Sequence, residues 1–155
     1  MKKGTRLSWV NMNNMSGFLL YSAYFSWKRK IENALSPHEL THVQFMLLMS
    51  LGFMTKDVAL VSQNDLAKFL KFDVTMTSQV LRNLEKRGLL SRSQKKGDER
   101  AKFPKLTEEG TKKIQEATRD LLKTESDFFA PVEKNREDLD EFLRTVIKKE
   151  TKDAA

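Results

Sequence analysis

The chain has 155 residues, enough for one domain whose core needs no disulfide or structural metal. Its composition, 39% hydrophobic and 32% charged with 6 glycines and 3 prolines, suits amphipathic helices and argues against a many-turned all-β fold. The absence of cysteine excludes disulfides, Cys-ligated zinc, thiol catalysis and thiol redox sensing, while a formal net charge of +7 favours an anionic partner, nucleic acid first.

The opening MKKGTRLSWVNMNN is basic but lacks the unbroken apolar core of a signal peptide. No window is apolar for long enough to span a membrane. A cytoplasmic protein without membrane contact is expected. Residues 14–35 place Met15, Phe18, Leu19, Tyr21, Phe25, Ile31 and Leu35 mostly at helical spacing, and Ser36-Pro37 breaks the run.

Residues 38–42 read HELTH, a literal match to the H-E-x-x-H pattern of zinc metalloproteases. That chemistry needs both histidines on one helical face, a glutamate base and a third ligand. The chain has only 2 histidines, so the third ligand would have to be a carboxylate. Two helix starts are compatible with the sequence. Thr41 with Gln44 forms a capping box, which leaves His38 in a loop. A start at Ser36, with Pro37 in the first turn and Glu39 closing its own box, keeps the two histidines four apart on one helix. Only the second permits a metalloprotease. No metal or other cofactor is expected, with His38 and His42 as the residues to watch for a regulatory metal.

From Thr41, VQFMLLMSLGFM predicts a helix buried on most sides. Val58-Ala59-Leu60-Val61 reads as a short strand. Ser62 and Asp65 make a second capping box, opening the helix QNDLAKFL. After the turn Lys71-Phe72-Asp73, a helix capped by Asp73 and stopped by Gly88 carries Val80, Leu81 and Leu84 on its inner face. Its expected outer face is Thr75, Thr77, Ser78, Gln79 and Arg82. Solvated helix faces usually carry Glu and Lys, and residues 74–84 contain neither. Threonine and serine are poor helix formers, so helix stability does not explain them.

Two short helices joined by a tight turn match a helix-turn-helix, whose second helix reads the major groove. Residues 89–106 then read as a hairpin turning at Lys96-Gly97-Asp98-Glu99. Between 86 and 105 it and its flanks carry Lys86, Arg87, Arg92, Lys95, Lys96, Arg100, Lys102 and Lys105 against Asp98 and Glu99. A basic hairpin in this place is suited to phosphate contact and minor-groove entry. Thr107 caps a helix running to about Ala130, where Pro131 interrupts. Residues 135–150 form a last helix, acidic early and lysine-rich late.

The order of these signals carries a family resemblance. Leu40-Thr41 with Gln44-Phe45, Asp65-Leu66-Ala67, Leu84-Glu85 with Arg87-Gly88-Leu89, Arg92, Asp98 with Arg100, and Leu106-Thr107 with Gly110 together resemble the MarR family of bacterial transcriptional regulators. The resemblance spans about residues 15–150. It implies a mainly α fold with a small β-hairpin wing: a winged helix-turn-helix over 41–106, flanked by dimerisation helices at 14–35 and 107–150, all in one domain of 1–155. It also implies a homodimer on double-stranded DNA. In the mechanism this suggests, Thr75, Thr77, Ser78, Gln79 and Arg82 face the major groove, and Ser62, Gln63, Lys95 and Lys96 meet phosphate. The resemblance further implies that Arg100 enters the minor groove, oriented by Asp98. The family tends to place arginine where Gln79 stands, so its base preference does not carry over.

Many members bind small aromatic or anionic effectors between the dimer helices and the winged part. Tyr21, Tyr24, Phe25 and Trp27 are the residues suited to such a pocket, with core or dimer packing as the competing reading. The sequence reading is therefore a DNA-binding regulator, a homodimeric repressor of a pseudo-palindromic operator released by a small molecule, and not an enzyme. A helical module whose basic hairpin binds an acidic protein, and a zinc hydrolase through HELTH, are the alternatives.

Overall fold

In the computed structural model the backbone is described for residues 15–56, 60–95 and 98–153, and side chains for 15–56, 60–93 and 103–148. The first helix, α1 (Ser16–Leu35), buries only Ile31 and Leu35 and leaves Leu19, Leu20, Tyr21, Tyr24 and Phe25 half exposed. Among the described residues, no other element of the protomer covers this apolar surplus. A single turn of 3-10 helix, Ser36–His38, follows, with Pro37 in its first positions. Glu39 ends that turn in the left-handed region at φ 54°, a conformation that costs a non-glycine residue free energy.

This left-handed residue decides between the two readings of HELTH. The next helix, α2 (His42–Met54), starts at Thr41, whose side chain accepts from the Gln44 N–H at 3.2 Å while the Gln44 side chain accepts from the Thr41 N–H at 3.0 Å. His38 and His42 therefore lie on opposite sides of a chain reversal, and the single helical face that a metalloprotease requires does not form. Replacing Thr41 by alanine removes one half of the box, with an expected loss of about 1 kcal/mol in thermal unfolding. An unchanged melting temperature would show that the cap contributes nothing here.

Helix α2 supplies the centre of the core with Phe45, Leu47, Leu48 and Leu51. Around it pack Ile31, Leu35 and Leu40 from the α1 side, Val61 and Leu66, and Leu81, Leu84, Leu89, Leu90 and Ala117. Val58 and Ala59 lie outside the described residues. Leu60 and Val61 take no regular structure, so the strand expected there is not present at those two positions. Helices α3 (Gln63–Leu70) and α4 (Val74–Lys86) are capped by Ser62 and Asp73, as the sequence predicts. The Ser62 hydroxyl and then its backbone N–H, both donating to Asp65, hold the Asp65 carboxyl below its ordinary value.

Strands β1 (Leu90–Lys95) and β2 (Asp98–Leu106) pair antiparallel, with Leu90 opposite Leu106 and Ser93 opposite Phe103, and with an irregularity between Gln94 and Lys95. Helix α5 (Glu108–Phe129) is capped by the Thr107 hydroxyl, which accepts from the Gly110 N–H at 3.0 Å. A 3-10 stretch, Ala130–Asn135, turns the chain into α6 (Arg136–Asp153), and Arg136 lies 3.9 Å over the Phe129 ring at this corner. Helix α1 packs along α5, and α6 packs against the 3-10 stretch that follows α5. Leu122 on α5 and Phe142, Val146 and Ile147 on α6 are exposed. Among the described residues no helix is long and apolar enough to cross a membrane.

Candidate nucleic-acid interface

Helix α3 ends in a second left-handed residue, Lys71 at φ 54°, which turns the chain within three residues into the cap of α4. The buried anchors of α4 are Leu81, Leu84 and Thr77. Thr77 is a correction to the expected outer face: its side chain is fully buried, and its hydroxyl donates to the Asp73 carbonyl at 2.8 Å. It lies one helical turn before Leu81, on the inner stripe, where back-bonding to the preceding turn satisfies its hydroxyl. It is not presented to a groove.

The remaining expected residues do share an accessible face. Thr75, Gln79 and Arg82 are exposed and Ser78 is half-buried. Arg82 folds back along the helix, its Nε donating to the Ser78 carbonyl at 3.2 Å and its Nη2 to the Ser78 hydroxyl at 3.3 Å. The guanidinium is thus held over the helix surface while retaining further donors for bases or phosphates. Ser62 and Gln63 are half-buried at the α3 N-terminus. The Ser62 hydroxyl is committed to Asp65 at 2.7 Å, so what this corner offers a phosphate is mainly the N-terminal end of α3. Among the described residues the buried Gln63 Oε1 has no hydrogen-bond partner.

The wing is joined firmly to α4. Arg92 on β1 donates from Nε to Glu85 Oε2 at 2.7 Å, and its Nη2 approaches the same oxygen. Lys95 stands opposite Asp98 in the strand register, and Arg100 lies two residues further along β2. The side chains of Lys95, Asp98 and Arg100, and the whole of Lys96, lie outside what the structure describes, so the expected Asp98–Arg100 pair stays an expectation.

Sequence reasoning missed one set of side chains. Gln44, identified only as a capping residue, also donates from Nε2 to Asn83 Oδ1 at 3.1 Å and accepts from Arg87 Nη1 at 3.3 Å. Asn83 lies in the last turns of α4 and Arg87 caps it. These partners are far from Gln44 in sequence, so no local pattern reveals them.

The four aromatic residues suited to an effector pocket touch one another along α1, with centroids 4.5 Å apart for Tyr21 and Phe25, 5.4 Å for Phe25 and Tyr24, and 6.2 Å for Tyr24 and Trp27, and Trp27 stands edge-on to His42 at 5.3 Å. Only Tyr24 among them lines the cavity of about 240 Å³ between α1 and the winged part, together with Lys28, Glu32, His42, Met46 and Phe72. Phe25 borders a separate open depression beside Lys28 and Arg29. Burial, partly opposed by Glu32 and reinforced by Lys28, lowers the His42 pKa below its ordinary value, so its ring is neutral at pH 7. His38 faces the other way, with Nε2 2.7 Å from Asp120 Oδ2 on α5. Each ring thus has its own neighbour, and among the described residues no group of three or more His, Cys, Asp or Glu is placed to hold a metal.

Residues 40–102, from the entry to α2 through most of the hairpin, match the model of the MarR family. The uncharacterized HTH-type transcriptional regulator YdcH of Bacillus subtilis (strain 168) is 42% identical over 118 residues, covering 76% of this chain and 80% of that protein. The chain belongs to the MarR family. It is accordingly a transcriptional regulator with the MarR winged-helix fold, and the family is not one of enzymes. Solved MarR-type structures extend the likeness beyond 40–102 into the flanking helices. MepR of Staphylococcus aureus, crystallised with DNA, superposes with a TM-score of 0.77 at 26% identity, over 87% of this chain and 97% of its own. CouR of Rhodococcus jostii RHA1, crystallised with p-coumaroyl-CoA, gives 0.73 at 21% identity, over 87% and 93%.

Proposed function

We propose that this MarR-family chain acts as a homodimeric repressor that binds a pseudo-palindromic operator and releases it when a small aromatic or anionic effector binds. The observation that carries the reading is the face of α4: Thr75, Ser78, Gln79 and Arg82 stand free of core packing, beside a basic hairpin. Short polar groups and a guanidinium are what base edges and phosphates accept. Gln79 favours adenine through its bidentate amide. Lys95 and Lys96 near the hairpin tip meet phosphate, and Arg100, oriented by Asp98, enters the minor groove.

Homodimerisation rests on the exposed apolar residues of the two chain ends. Leu19, Leu20, Tyr21 and Phe25 on α1, and Phe142, Val146 and Ile147 on α6, form more apolar surface than a monomer ordinarily leaves in water. A two-fold axis through these helices sets two copies of α4 about 34–36 Å apart, one turn of duplex. The cavity beneath Tyr24 suits a small ligand: Met46, Leu70 and Phe72 offer apolar walls and Lys28 a cation. A ligand there weakens DNA binding by favouring a dimer whose reading helices are wrongly spaced.

Equilibrium binding to duplex DNA tests this reading. Arg100→Ala is expected to lower affinity for a preferred duplex by about 1–3 kcal/mol while the dimer persists in size-exclusion chromatography. Affinity equal to wild type at matched salt would remove the wing from the interface. Lys95→Ala is expected to weaken binding to all duplexes alike and to make the salt dependence shallower. A loss confined to one sequence would contradict its phosphate role.

A further inference from the structure

Gln44 has more partners than a helix cap needs. A capping glutamine requires only one side-chain oxygen, to accept from the N-cap N–H. Here Oε1 accepts from both the Thr41 N–H at 3.0 Å and Arg87 Nη1 at 3.3 Å, and Nε2 donates to Asn83 Oδ1 at 3.1 Å. One amide thereby ties the start of α2 to the last turns of α4. The other end of α4 is held by Asp73, which accepts from the Met76 N–H at 2.7 Å, and by the buried hydroxyl of Thr77. Between these ends Leu81, Leu84 and half-buried Val80 pack from beneath, and near the far end Glu85 also holds Arg92 of β1. Apolar contacts are non-directional, so they resist lifting more than rolling. Directional hydrogen bonds at the far end resist the roll, and rolling α4 would swing Gln79 and Arg82 out of register with base edges.

We propose that Gln44 is a specificity-determining positioning residue: through Asn83 and Arg87 it sets the rotation of α4 and hence which bases Gln79 and Arg82 meet. It touches no DNA itself. The same residue sits next to the cavity wall, since Thr41, His42 and Val43 line the space beneath Tyr24. The inference rests on the DNA-binding reading.

The test begins with a duplex that the wild-type protein selects from a random-sequence pool. Affinities for that duplex and for a random duplex are then measured for wild type, Gln44→Ala, Asn83→Ala, the double variant and Gln44→Glu. Each single alanine variant is expected to lose about tenfold on the selected duplex, the scale of one or two lost hydrogen bonds, and little on the random one. Because Asn83 acts through the Gln44 amide, the double variant loses about the same tenfold as Gln44→Ala rather than a hundredfold. Gln44→Glu keeps the cap, pairs with Arg87 and accepts from the Asn83 amide once that amide is turned, so it restores selectivity. Asn83 is exposed, and its replacement is expected to leave the melting temperature essentially unchanged, which separates positioning from folding.

Multiplicative losses in the double variant would overturn the inference, as would an Asn83→Ala protein with wild-type selectivity. A wild type that selects no sequence at all would overturn the DNA-binding reading itself, and the inference with it.

Discussion

Gly110→Ala is expected to destabilise the protein by about 3 kcal/mol, a large overpacking loss. A Cβ added at this position would meet the Leu89 carbonyl oxygen at 1.9 Å and its carbon at 2.8 Å. The obstacle is backbone, so no rotamer change relieves it, and α5 would have to lift away from the root of the wing. That lift would strain the Thr107 hydroxyl, which donates to the Gly88 carbonyl at 2.7 Å, and the Thr107 N–H, which donates to the Leu89 carbonyl at 3.3 Å. Denaturant unfolding at a fixed protomer concentration measures the loss, since the proposed dimer would make apparent stability depend on concentration. A change within about 0.5 kcal/mol, typical of a surface site, would show that α5 and the wing root are not in backbone contact.

Phe45→Ala is the second large effect. Phe45 is 2% exposed at the centre of the core, and its truncation is expected to cost about 3–5 kcal/mol through lost burial and the cavity left behind. Phe69 provides the control. It stacks with Phe53 at 6.2 Å but is 52% exposed, so Phe69→Ala should cost far less. Equal losses in the two variants would contradict the burial assigned to α2.

The contrast between Phe45 and Phe69 shows what was legible in the sequence. Capping boxes act over three residues, so Ser62 with Asp65 locates one helix start directly, while Thr41 with Gln44 marks one of two starts that the sequence leaves open. Helix α4 and the hairpin follow from periodicity and from Gly88, which takes φ +73° at the expected stop. Thr77 was misplaced because its polar side chain occupies an inner-stripe position, and the carbonyl that satisfies it is invisible in composition. By spacing alone the aromatic residues of α1 suit either an effector pocket or packing; they touch one another in a row, and Tyr24 is the one that borders the cavity. The second role of Gln44 depends on contacts made across the fold, which no local spacing encodes. HELTH was resolved by one backbone torsion at Glu39, a residue type that gives no warning of a left-handed turn.

The chain passes between the long helices α1 and α5 and the winged part twice, and both passages are fastened to α5. At one, Gly110 lies against the Leu89 backbone. At the other, His38 reaches Asp120, and Lys113 donates to the His38 carbonyl at 3.4 Å. Helix α5 therefore stands as a mast to which the winged part is tied at both of its ends. In the proposed dimer, the span between the two copies of α4 would follow the angle at which the two masts cross.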